Sequence, residues 1–203
     1  MKRFFLSLIL TLFFLENFSQ NENASSLLKS GTDKFNSGNL DGAAIDLARA
    51  IELNNQNSEA FFILAEVKFK QNDDKEAMLN YNKSLELNAK NPTALKNRGK
   101  VKARLGDYRG SVLDFNKAIE LNPKFSDAYF NRGLSRFNLK EYAESINDFS
   151  RVVELNPKDY EAFFARGNAK FFSDKKEEAC LDWSKAGELG FMKAYDMIKK
   201  KCN

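Results

Sequence analysis

The sequence predicts an all-α fold, an open stack of helical pairs, and three observations point to it. The chain repeats itself every 34 residues without a gap. Its punctuation is sparse, with 10 Gly and 3 Pro in 203 residues, too little for a loop-rich all-β fold. Small residues also recur at three fixed places in every repeat, at spacings that put them on the contact faces of two helices. The rest of the composition excludes function classes. There is no His, which removes a Ser-His-Asp triad, a Cys-His pair and His-ligated zinc or haem. Two distant Cys make neither a thiolate metal site nor a redox CxxC. The 32 basic residues nearly balance the 28 acidic ones, for a net charge of +4, so nucleic acid is not an expected partner.

Residues 1–19 read as a secretory signal peptide. Lys2 and Arg3 form a basic start, Phe4 to Leu15 an apolar run, and Glu16 and Asn17 end it. At ~1.5 Å rise per residue the run falls well short of the ~30 Å hydrocarbon core. The expected product is exported, periplasmic or secreted. The alternative is an uncleaved anchor, and only through it would the chain meet a membrane.

Five windows of 34 residues follow: 24–57, 58–91, 92–125, 126–159 and 160–193. Position 8 holds Gly31, Ala65, Gly99, Gly133 and Gly167. Position 20 holds Ala43, Ala77, Ser111, Ser145 and Ala179. Position 27 holds Ala50, Ser84, Ala118, Val152 and Ala186. These let two antiparallel helices, A and B, approach closely, while large residues at position 24 (Leu47, Tyr81, Phe115, Phe149, Trp183) fill the space beside them. Each pair leaves an apolar face that only its neighbour covers. In the third window helix A is expected near 93–105 and helix B near 107–120. Pro123 and Pro157 occupy position 32, in the turn to the next A helix, where no intrahelical amide is needed.

This pattern resembles the tetratricopeptide repeat, a helix–turn–helix unit of the same length. The resemblance implies a right-handed α-solenoid of five repeats, with a groove lined by the A helices that binds an extended peptide or a helix. It implies a non-enzymatic scaffold with a protein partner and no cofactor; a monomer is expected. Position 32 departs from the family at Asn55, Ala89 and Phe191.

The groove-facing positions carry the candidate site. Position 5 is Leu28, Phe62, Lys96, Phe130 and Phe164; position 9 is Thr32, Glu66, Lys100, Leu134 and Asn168; position 12 is Phe35, Phe69, Ala103, Phe137 and Phe171. They fall on one helical stripe, and seven Phe on it are more apolar surface than a solvated face should carry. With Asn131 at position 6, the peptide-binding candidates are Phe62, Phe69, Lys96, Lys100, Phe130, Asn131, Leu134, Phe137, Phe164, Asn168 and Phe171. A core role for positions 5 and 12 is the competing expectation. Lys96 and Lys100 between aromatic flanks suit a peptide with an acidic group between apolar anchors. The carboxylate clamp that grips acidic chaperone tails is not reproduced: of Lys96, Lys100, Asn131, Glu161 and Ala165, only two match it.

Two further rows recur. Position 7 is Arg98, Arg132 and Arg166, and position 23 is Asp46, Asn80, Asp114, Asp148 and Asp182. Pairing of Asp114 with Arg132 and of Asp148 with Arg166, across the repeat boundary, is one expectation; solvated charges are the other. Position 11 is basic in all copies (Lys34, Lys68, Lys102, Arg136, Lys170), either a ladder for a glycan or other polyanion or a row of snorkelling stems.

The end of the chain, 191–203, reads as a capping helix. Gly187 and Gly190 are expected to end the last B helix, with Phe191, Ala194, Tyr195 and Ile198 inward and Lys193, Lys199, Lys200 and Lys201 outward. Antiparallel packing there brings Cys180 within reach of Cys202. A disulfide would stabilise the fold by about 3 kcal/mol; two free thiols are the alternative. Nothing in the sequence offers a catalytic or metal-binding constellation.

Overall fold

The structure, a computed structural model, describes residues 23–202. The signal peptide expected over residues 1–19, and the question of its retention, lie outside the described residues. Among the described residues there are eleven helices and no strand. They fall into two compact units, one ending at Lys90 and one beginning at Asn91.

The first unit contains α1 (residues 23–36), α2 (Leu40–Leu53), α3 (Ser58–Lys70) and α4 (Asp74–Leu87). The second contains α5 (Pro92–Arg104), α6 (Tyr108–Leu121), α7 (Ser126–Asn138), α8 (Tyr142–Leu155), α9 (Tyr160–Phe172), α10 (Lys176–Glu188) and α11 (Lys193–Lys201). In the second unit each helix packs on the next in chain order, and A helices also touch, α5 on α7 and α7 on α9. This is the stacking of an α-solenoid. The third repeat's helices begin and end within a residue of their expected limits.

The period has three local causes. Several helices begin at side-chain caps: Asn57 accepts from the Glu59 and Ala60 amides, Asp107 from Gly110 and Asp159 from Ala162, whereas α7, α8, α10 and α11 start without one. Four B helices end at an Asn (Asn54, Asn88, Asn122, Asn156) whose side chain accepts from the amide two residues on, a local turn that stops the helix. Position 15, between A and B, is left-handed in every repeat: Gly38 at φ 84°, Asn72 at 62°, Gly106 at 85°, Lys140 at 62° and Asp174 at 63°.

The core sits where A crosses B. A Cβ on Gly99 would lie 2.7 Å from the Phe115 ring, one on Gly133 2.9 Å from Phe149, and one on Gly167 2.7 Å from Trp183. Phe115, Phe149 and Trp183 are fully buried, and so are Ser111 and Ser145. Those two hydroxyls donate to backbone carbonyls, of Tyr108 and Gly133, so neither is left unsatisfied.

The chain's end differs from expectation at Gly187, at Phe191 and at Tyr195, which was expected inward and is 45% exposed. Gly187 does not end α10 but lies inside it, buried, with the Tyr195 ring against it. A side chain there would collide with that ring. The turn comes at Gly190, at φ 103°, and Phe191 precedes α11 rather than opening it, stacked on Tyr160 at 5.4 Å. Ala194 is buried, and Lys193, Lys199, Lys200 and Lys201 are exposed. Cys180 and Cys202 are bonded, with Cα atoms 6.0 Å apart, which ties the far end of α11 to the start of α10.

Candidate functional site

The charged rows point inward. Arg98 places Nε and Nη2 2.8 and 2.7 Å from the two oxygens of Asp114, and Arg166 does the same to Asp182. Arg132 grips Asp148, with Nη2 2.5 Å from Oδ1. The expected pairings of Asp114 with Arg132 and of Asp148 with Arg166 are therefore corrected: each Arg pairs within its own repeat. Across the boundary the Arg reaches a neutral group instead, Arg132 donating to Asn116 Oδ1 at 2.7 Å and Arg166 to Ser150 Oγ at 3.2 Å. The position-11 row joins the same carboxylates: Lys102 on Asp114, Arg136 on Asp148 and Lys170 on Asp182, at 2.8 to 2.9 Å. Lys34 does so for Asp46 in repeat 1. There the Lys34 ammonium, helped by the Ser30 hydroxyl, holds the Asp46 carboxyl below its ordinary pKa. In these four repeats the row neutralises buried carboxylates, so it is no outward ladder for a polyanion.

The aromatic stripe divides. Phe130 meets Phe149 edge-on at 5.5 Å, Phe164 meets Phe191 at 4.8 Å, and Phe171 lies 5.6 Å from Trp183 with the Lys201 ammonium 5.3 Å from its ring centre. In the first unit Phe62 leans on Tyr81 at 6.2 Å, and Phe69 is half-buried. These rings are half-buried packing residues. Lys96 is committed as well, over the Phe125 ring at 5.4 Å and 3.8 Å from Asp127. Asn131 donates its amide to the Asp127 carbonyl on its own helix. Lys100 is half-buried on α5.

At position 9 the open residue is Leu134. Leu134 remains 38% exposed and borders a pocket of about 70 Å³ between α7 and α9, completed by Phe137, Phe149, Ala165 and Asn168. Phe149 and Ala165 escaped sequence reasoning. Phe149 reads as core, which it also is, and Ala165 is noticeable only as a small residue where repeats 3 and 4 carry Asn97 and Asn131. A larger residue at 165 would fill the pocket. Polar position-9 groups are held from below by position 24: the Tyr81 hydroxyl donates to Glu66, and the Trp183 indole donates to Asn168 Oδ1 at 3.1 Å.

A stack of helix pairs with buried charge triads and one open apolar pocket on its A-helix face is the architecture of an α-solenoid binding protein. Sequence models of the tetratricopeptide repeat match residues 126–159 and 93–125, and a further TPR-repeat model matches 65–106. The chain belongs to the tetratricopeptide repeat family. Among solved structures it is similar to YrrB, described as a TPR protein with an unusual peptide-binding site, at 22% identity and TM-score 0.81 over 92% of this chain and 97% of that one. It is similar to MamA, at 20% identity and TM-score 0.78 over 88% and 95%. It is also similar to PilF of Pseudomonas aeruginosa, at 21% identity and TM-score 0.72 over 85% and 78%. At these identities the likeness is one of fold. No curated protein matches the chain significantly.

Proposed function

We propose that this protein is a non-enzymatic interaction scaffold of the cell envelope, holding a peptide or helix of a partner protein against the A-helix face of repeats 3 to 5. The observation that carries this reading is the apolar pocket between α7 and α9 on a face whose other aromatics are already packed. Apolar concavities with a few fixed polar groups are where ligands seat, and YrrB offers a TPR precedent for a peptide-binding site. The basic start and short apolar run of residues 1–19 support export. The Cys180–Cys202 bond suits a compartment where disulfides persist.

The test is photo-crosslinking in native cells, with benzoylphenylalanine placed at Leu134 or, on the B-helix face, at Leu113, which is 63% exposed. A discrete protein adduct at position 134 and none at 113 is the expected result. Equal labelling at both positions would contradict it. N-terminal sequencing of the same material separates an exported scaffold from one tethered by a retained segment 1–19.

A further inference from the structure

We infer that the pocket between α7 and α9 is a subsite for one small aliphatic side chain of an extended partner segment, with the Asn168 amide donating to that segment's backbone carbonyl. This rests on the reading of the A-helix face as the binding surface, and specifies what that face recognises.

Asn168 is oriented from beneath. An indole N–H only donates, so the Trp183 ring, fully buried, must meet the Asn168 oxygen, as it does at 3.1 Å. The Nδ2 group, with two N–H donors, is thereby turned away from Trp183, and among the described residues it has no acceptor. Flipping the amide would set N–H against N–H. A half-buried donor is thus fixed beside an apolar hollow, the arrangement that reads a main-chain carbonyl next to an apolar side chain.

The hollow sets the size of its guest. About 70 Å³ is roughly half the ~150 Å³ apolar cavity that accepts benzene, so a branched aliphatic group fills it better than an aromatic ring does. Its walls are stiff. Phe149 is fully buried, and Phe137 is wedged edge-on against Tyr142 and Phe172, both at 5.5 Å. Little ordering is left for the guest to impose.

Charge selects the flanking residue. Lys100 on α5 holds the same helical position as Leu134 on α7 and Asn168 on α9. Packed helices lie about 8–10 Å apart and an extended chain advances about 3.3 Å per residue. A carboxylate about two to four residues from the aliphatic side chain therefore falls beside Lys100. The occupant is an extended segment carrying Val, Ile or Leu, with Asp or Glu on the α5 side.

The experiment pans a random dodecapeptide phage library on the full oxidised chain and measures the enriched peptides by the emission of Trp183, the single tryptophan. Enriched peptides should share an aliphatic residue with a nearby acid, and Ala at the aliphatic position should weaken binding at least tenfold. Asn168→Asp keeps an oxygen for Trp183 and removes the donor, and should also weaken binding at least tenfold. Lys100→Glu should weaken it about fivefold, with recovery when the peptide's acid is changed to Lys. If binders need an aromatic residue, or ignore Asn168→Asp, while Leu134→Asp still abolishes binding, the subsite is overturned and the binding face stands. If Leu134→Asp has no effect either, both fall.

Discussion

Repeat 4 closes its helical pair around a buried carboxylate, Asp148, held by Arg132 and Arg136, whereas repeat 2 makes the same crossing with Leu64, Asn80 and Tyr81. At position 7, Leu64 is itself buried where Arg132 stands in repeat 4. Asn80 donates to a local carbonyl, that of Glu76. The fold therefore does not require the ion triad. What the triad adds is directional: Arg132 also reaches Asn116 of the preceding repeat, which an apolar side chain cannot do. A buried ion pair is often no more stabilising than well-packed apolar groups, but breaking one leaves an uncompensated charge. The two repeats should thus differ little in what they contribute and greatly in how they fail.

The largest expected effect follows from that asymmetry. Asp148→Ala strands two guanidinium groups and should cost about 3 kcal/mol or more in urea unfolding, against about 1 kcal/mol for Asn80→Ala. Equal costs would end the comparison. Transplanting the repeat 2 set into repeat 4, as Arg132→Leu, Arg136→Lys and Asp148→Asn together, should recover most of the loss and stay within about 1.5 kcal/mol of the parent.

Position 8 sharpens the same contrast. Repeat 2 already carries Ala65 there, fully buried, but a Cβ on Gly133 would meet Phe149 at 2.9 Å. Gly133→Ala should cost about 2 kcal/mol through overpacking, despite alanine's better helix propensity. A gain in stability instead would mean that Phe149 has room to move.

Smaller effects lie in the turns and the titrating groups. Lys140 holds a left-handed φ of 62° where repeats 1 and 3 use Gly38 and Gly106. Lys140→Gly should raise stability by about 1 kcal/mol, readable as a shift in the urea midpoint. Asp46 has its pKa lowered by Lys34 and Ser30. A depressed carboxylate stabilises the fold above its unfolded value of ~3.9 and loses that contribution as pH falls below it. The stability gap between the parent and Asp46→Asn should therefore be present at neutral pH and shrink in acid below ~4; a gap independent of pH would contradict the pairing.

What was legible in the sequence was whatever recurred. Gly99, Gly133 and Gly167 facing Phe115, Phe149 and Trp183 repeat the same contact, and spacing alone exposes it. Recurrence also misled. A 34-residue period sets Asp114 16 residues after Arg98 and 18 before Arg132, so it cannot choose between the two partners; the A–B crossing chooses the first. Gly187 occurs once in its role, against Tyr195, and the period says nothing of it. The proposed binding face was half legible. Positions 5, 9 and 12 do share a stripe, but how far each is open depends on the neighbouring helix. Phe164 is covered by Phe191, and Leu134 is not covered because Ala165 opposite it is small.

The central claim is that the A helices of repeats 3 to 5 hold the partner, with the closest contacts on α7 and α9. Hydrogen exchange read by mass spectrometry, on the full oxidised chain with and without a peptide selected on it, tests this most directly. The account predicts added protection in α7 and α9, greatest around Leu134 and Asn168, with α8 and the exposed side of α10 unchanged. Protection confined to the B helices would contradict it.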